Sequence, residues 1–215
     1  MLIESIPLWL AATNTWVAAR EKGGEAVVVD APPDPSGVAR LLASHDLAVT
    51  ALLVTHGHID HVGGAGPVAR STRAVAYIHP DDDFLTLDPD RQLRGMLGMV
   101  PDQDFAPPET YEHLKHGQVL DLCGMRFEVR HTPGHTPGHC CFLLEEEGVL
   151  FSGDQLFAGS IGRTDLPGGD FDQLVVSMRE RVLDLPDDVR VLPGHGPETT
   201  IGWERRTNPF RHEWA

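Results

Sequence analysis

Thr55-His56-Gly57-His58-Ile59-Asp60-His61 packs three histidines and an aspartate into its last six residues. The stretch follows Val49 to Val54 (VTALLV), a short apolar, β-branched run that reads as a buried strand, so the histidines begin on the loop at its C-terminal end. Loops at strand ends are where scaffolds carry chemistry. His56 and His58 are two apart and can point the same way from an extended backbone, while Asp60 and His61 arrive as the chain turns toward a helix near Val62. Four ligands this close in sequence do not converge comfortably on one tetrahedral ion. They suit two neighbouring ions, with His56 and His58 on one and Asp60 and His61 on the other. A solvated polar loop accounts for one histidine but not for this density.

The residues THGHIDH resemble the HxHxDH signature of the metallo-β-lactamase superfamily. That resemblance implies an α+β fold, a four-layer αββα sandwich with metals at one edge between two sheets. It also implies three further ligands downstream. In Thr132-Pro133-Gly134-His135-Thr136-Pro137-Gly138-His139, similar to the TPGHTxGH form of glyoxalase II-like enzymes, the implied ligand is His135, completing the first ion. His139 then orients or packs. Asp154, at the end of the apolar run GVLFSGD, is the implied bridge between the ions, and His195 in Pro193-Gly194-His195-Gly196-Pro197 completes the second. The implied set is His56, His58, His135 and Asp154 for one ion and Asp60, His61, His195 and Asp154 for the other. Asp60 doubles as the residue that orients the nucleophile.

Zinc fits these ligands, and iron or manganese suit them nearly as well. Water between two divalent ions ionises near neutral pH, and the ions polarise a carbonyl, which makes a bridging hydroxide a hydrolytic nucleophile. The combination of TPGHTPGH, GDQLFAGSIGRTD and PGHGP is most similar to short glyoxalase II-like hydrolases of thioesters such as S-lactoylglutathione. Arg163 stands where a basic residue of those enzymes contacts the thiol carrier, with an ion pair to Asp165 as the competing reading. The two-domain enzymes carry a GHEYT motif whose tyrosine touches glutathione; GHGPETT has none. Persulfide dioxygenases with a single iron share the fold and form the alternative, although their TPGHTDG and PAHDY patterns match less well. Lactamases proper do not bridge with an aspartate in an SGD motif.

Composition narrows the classes. The 215 residues suit one domain, residues 1–215, with a sizeable core. Seventeen basic against 32 acidic residues give a formal charge of −15, which repels nucleic-acid backbones and anionic membranes and opposes a tRNA-processing role. Cys123, Cys140 and Cys141 are an odd set, and the adjacent pair should face opposite sides of a strand, so no disulfide framework is expected. No Lys or Arg precedes Arg20, and Pro7 and Asn14 interrupt the first apolar segment, so neither signal peptide nor membrane span is expected. A cytoplasmic enzyme acting on a small-molecule thioester is the resulting expectation.

Along the chain, strands are expected over Leu2 to Ala12, Trp16 to Ala19, Ala26 to Asp30, Ala74 to Ile78, VLDL, MRFEVRH, CCFLLE, Gly148 to Phe157 and Val189 to Leu192. Helices are expected over Ser36 to His45 with a Ser36 cap, Pro67 to Arg70, Arg91 to Met99, Asp170 to Leu185 and Thr199 to Arg206. Asp30 either caps the following turn or orients a metal-bound imidazole. His79, alone before Pro80, reads as a turn residue. The acidic, proline-punctuated segment 81–108 reads as a connection or lid whose Leu93, Met96, Leu97 and Met99 pack or line a pocket.

Overall fold

The computed structural model describes residues 1–214. The first sheet takes its strands in chain order: β1 (Leu2–Leu8), β2 (Thr13–Ala19), β3 (Glu25–Val29), β4 (Ala48–Leu53), β5 (Val75–Ile78) and β6 (Glu112–His113). Its first three strands form an antiparallel meander, and β3 to β6 run parallel. β7 (Val119–Leu122), β8 (Met125–His131), β9 (Cys140–Leu144) and β10 (Val149–Gly153) begin the second sheet. A hairpin, β11 (Leu156–Phe157) and β12 (Ser160–Ile161), leaves it. β13 (Arg190–Pro193) returns parallel to β10, with β14 (Thr199–Thr200) at its edge.

Strand alternation builds the layers. In β3, Ala26 and Val28 face outward onto α1 (Pro35–Ser44), while Val27 and Val29 face the second sheet. In β9, Cys140, Phe142 and Leu144 join the core between the sheets, whereas Cys141 and Leu143 pack outward. The adjacent cysteines therefore sit on opposite faces, and all three cysteines are free thiols. The first sheet's outer face is covered by α1 and, after the short α2 (Ile59–Val62), by α3 (Ala65–Thr72). α4 (Asp83–Thr86) and α5 (Pro89–Leu97) follow β5, and α5 is held through Leu93 against Ile59 and Phe105. α6 (Phe171–Arg181) and α7 (Ile201–Thr207) cover the second sheet. The result is a four-layer αββα sandwich. Among the described residues no helix is long and apolar enough to cross a membrane.

Most differences from the expected elements lie at ends and have local causes. β1 stops at Leu8 because Trp9 and Ala12 take φ of 60° and 52° in a turn. Asp34, not Ser36, caps α1: Pro35 occupies its first turn, and the Asp34 carboxylate accepts the Gly37 N–H at 2.9 Å. Asp88 likewise caps α5, which begins at Pro89 rather than Arg91. α6 ends at Arg181, where Val182 leaves helical geometry at φ −126°. Thr199 and Thr200 pair with β13 before α7 begins.

Gly66 in α3 tests this packing. A Cβ there would run into the Ala106 carbonyl oxygen and lie 2.8 Å from the Pro107 carbonyl carbon. Gly66→Ala is expected to lower stability by about 1–3 kcal/mol despite alanine's better helix propensity. Urea unfolding measures this, and an unchanged midpoint would mean that segment 106–107 yields freely.

Candidate metal centre

The parallel strands aim their C-terminal ends at one edge of the sandwich, and the site assembles there. At the end of β3, Asp30 adopts φ 60° and accepts three bonds of 2.8 Å, from Thr55 N–H, the Thr55 hydroxyl and His61 Nδ1. It thus orients an imidazole. The Thr55 hydroxyl proton being used, its oxygen is left to accept from His56 Nδ1 at 3.0 Å. On the opposite loop, His135 Nδ1 donates to the Arg163 carbonyl at 2.7 Å. These partners fix three tautomers, and in each ring the Nε2 lone pair is left facing inward.

Those lone pairs meet in two groups. His56 Nε2, His58 Nδ1 and His135 Nε2 form a triangle with sides of 3.1, 2.9 and 3.1 Å. Asp60 Oδ2, His61 Nε2 and His195 Nε2 form a second, with separations of 3.7, 3.3 and 3.3 Å. Asp154 stands between them. Its Oδ2 is 3.5 Å from His135 and 3.7 Å from His195, and its Oδ1 is 3.3 Å from His61. That Oδ1 is buried and has no hydrogen-bond partner among the described residues. Converging lone pairs beside an unpartnered buried carboxylate oxygen repel one another unless a cation lies among them. The donor set therefore fits two divalent ions.

The electrostatics agree. Burial, reinforced by neighbouring rings, pushes His56 far below the ordinary imidazole range and His58 down to about 3, so both are neutral, the form a metal takes. Burial opposes a charge on His61 too, but Asp154, Asp30 and Asp60 outweigh it and raise this ring well above its ordinary value. Carboxylates that attract a proton there also attract a cation. Burial likewise works against ionising Asp60 and Asp154; His61 overcomes it, taking Asp60 down to about 2 and Asp154 far below its ordinary value.

Three supporting groups, Asp82, Thr13 and Asn14, carry no functional signal in the sequence. Asp82, fully buried past β5, accepts from Gly57 N–H at 2.8 Å, the Thr136 hydroxyl at 2.7 Å and Gly138 N–H at 2.6 Å, tying both histidine loops together. The Thr13 hydroxyl bonds Asp60 Oδ2 at 3.2 Å. Asn14 donates its side chain to the carbonyls of Pro193 and Gly196, at 3.0 and 2.8 Å, and so holds the loop of His195. His139 is buried, and its Nε2 accepts the Asp154 N–H at 3.0 Å, so it positions the bridge from behind. His79 joins neither triad; it stacks on His131 with ring centroids 3.9 Å apart.

The centre opens into a cleft of about 1100 Å³ between α4–α5 and the loop from Phe157 to Pro167. Arg163 lines it, but its guanidinium is paired with Asp165 through bonds of 2.7 and 2.8 Å, and both side chains are exposed. Glu204, fully buried, accepts the Gly159 N–H at 2.9 Å and so anchors this loop to α7.

Comparison with known proteins agrees with the geometry. The family model of the metallo-beta-lactamase superfamily matches residues 8–195. A Haemophilus influenzae protein named hydroxyacylglutathione hydrolase GloC is 37% identical over 214 residues, covering 98% of each chain. The crystal structure of BLEG-1 B3 metallo-beta-lactamase superposes with a TM-score of 0.89 at 36% identity, covering 98% of this chain and 99% of that one. TTHA1623 in a di-iron-bound form gives 0.86 at 38% identity, covering 96% and 99%. With fold, donor set and sequence in agreement across nearly its whole length, this chain belongs to the metallo-beta-lactamase superfamily.

Proposed function

We propose that the chain, as one domain, is a dinuclear metal-dependent hydrolase of acyl thioesters, of the S-lactoylglutathione type. The observation that carries the reading is Asp154 set between a triad of three histidines and a triad of two histidines and an aspartate, at the floor of an open cleft. His56, His58, His135 and Asp154 would hold one ion, and Asp60, His61, His195 and Asp154 the other. Two divalent ions held there would supply an acidified water and a Lewis acid for a thioester carbonyl. Asp60, its Oδ2 already bonded by Thr13, orients the attacking water. Arg163 contacts the carrier at the mouth of the cleft. The relative named hydroxyacylglutathione hydrolase supports the thioester, and zinc is the ion we assign to an imidazole-carboxylate set. Three free cysteines suit a reducing, cytoplasmic setting.

Elemental analysis of protein purified without chelator or added metal tests the centre directly. About two zinc ions per chain, together with turnover of S-lactoylglutathione, are expected. About one iron per chain, with oxygen consumed on glutathione persulfide, would replace this reading with a persulfide dioxygenase. Asp154→Ala is expected to lower metal content and reduce turnover at least about 100-fold; a fully loaded, fully active variant would remove the bridge. Arg163→Ala is expected to raise KM a few-fold while kcat holds. Unchanged kinetics would leave the Arg163–Asp165 pair the sole task of holding its loop.

A further inference from the structure

The cleft has a second cation that the sequence did not single out. α5 presents Arg91, Gln92, Gly95 and Met96 to the cleft, while its other side is held by Leu93. Gln92 ties this helix to the first histidine loop. Its amide nitrogen donates to the Gly57 and Leu85 carbonyls at 2.9 and 2.8 Å, and its oxygen accepts the Ile59 N–H at 3.0 Å. The cleft-facing side of α5 is therefore placed relative to the centre, not free to drift.

Two features of that side have no purpose within the chain. Arg91 makes no side-chain hydrogen bond or ion pair among the described residues, whereas Arg163 is neutralised by Asp165 and Arg94 by Asp90. Asp88, beside Arg91, has its carboxylate engaged in capping the Arg91 backbone N–H at 3.1 Å. Gly95, four residues on, lies inside the helix, where glycine is unfavourable, yet a Cβ there would meet nothing within 4 Å. No packing requires this glycine. An unpaired guanidinium in a chain of charge −15, next to a gap left open toward the cleft, is the chemistry of a seat for an anionic ligand.

We propose that Arg91 and Gly95, one turn apart on α5, seat the thiol carrier of the substrate. The guanidinium takes an anionic oxygen of the carrier, and the missing side chain at Gly95 gives the carrier room to lie along the helix. The assignment rests on the thioester reading, and it names the substrate class as thioesters of anionic thiols. A carboxylate of a glutathione-like carrier and a phosphate of a coenzyme A-like carrier offer the same chemistry.

The test compares kcat/KM for S-lactoylglutathione, an acyl-coenzyme A and the neutral S-acyl-N-acetylcysteamine, using metal-loaded protein. Arg91→Ala is expected to lower the preference for an anionic over the neutral carrier about tenfold, and Arg91→Lys to keep most of it. Arg94→Ala, on the outer side of α5, should leave that preference unchanged. The anionic carrier whose preference falls is the one the seat takes. Gly95→Leu is expected to raise the unfolding temperature and also the KM for that carrier. An unchanged preference in Arg91→Ala, or an unchanged KM in Gly95→Leu, overturns the seat. If wild-type protein turns over none of the three, the hydrolase reading fails separately. The seat then stands only if calorimetry shows glutathione or coenzyme A binding that Arg91→Ala weakens about tenfold.

Discussion

The carboxylate of Asp82 is bonded to both histidine loops at once. Gly57 lies between His56 and His58, Thr136 and Gly138 follow directly after His135, and all three donate to one buried aspartate at 2.6–2.8 Å. Burial alone raises the affinity of this carboxyl for a proton, and three donors work against that cost. The triangle of nitrogens needs this tie, because its members come from different sheets and must hold separations near 3 Å before any ion arrives. Adding a Cβ at Gly57 or Gly138 would drive it into Asp82, to 3.0 Å from its carbonyl oxygen at the first and 2.7 Å from its carboxyl carbon at the second. The glycines of the two motifs are thus part of the same constraint.

The rest of the centre repeats that device with other donors. Asp30 joins the loop after β4 to His61, and His139 holds the backbone of Asp154. Asn14 ties the loop after β13 to β2, and the bond from Cys140 N–H to the Thr55 carbonyl, 2.7 Å long, stitches one sheet to the other. Each ligand loop is therefore fixed by a chain segment remote in sequence, so the site forms only when both sheets have closed on their shared core. Metal affinity and folding are coupled through these bonds rather than through the ligands alone.

This division explains what the sequence could and could not reveal. Strands such as Met125–His131 were legible because alternation and flanking turns are local signals. The histidine motifs were legible because ligating residue types crowd into short stretches, and the structure brings all seven of those side chains together. Asp82 was not legible. Its partners lie 25, 54 and 56 residues away, and in sequence it is one acid among several in a segment that reads as a connection or lid. Asn14 reads in sequence only as a break in the first apolar segment, because the carbonyls it bonds lie 179 and 182 residues away. The two-residue strands Glu112–His113 and Thr199–Thr200 are too short to carry any period, and only the sheet edges beside them define them. The Ser36 cap went to Asp34 because Pro35 sets the first turn one residue earlier.

The cleft wall is held far more loosely than its floor. The floor is buried and cross-linked by carboxylates, whereas α5 rests on a small cluster around Leu93 and on the amide of Gln92, with Arg91, Gly95 and Met96 exposed to the cleft. Arg91, Gly95 and Met96 make no hydrogen bond to a metal-ligating side chain among the described residues, so this side of the cleft is separate from the bonds that hold the centre. Gln92 sets the limit of that separation. It is the point where the wall grips the backbone between His56 and Ile59, and a change there reaches the first ligand loop directly. One amide side chain thus joins the exposed wall of the cleft to the loop that carries His56 and His58.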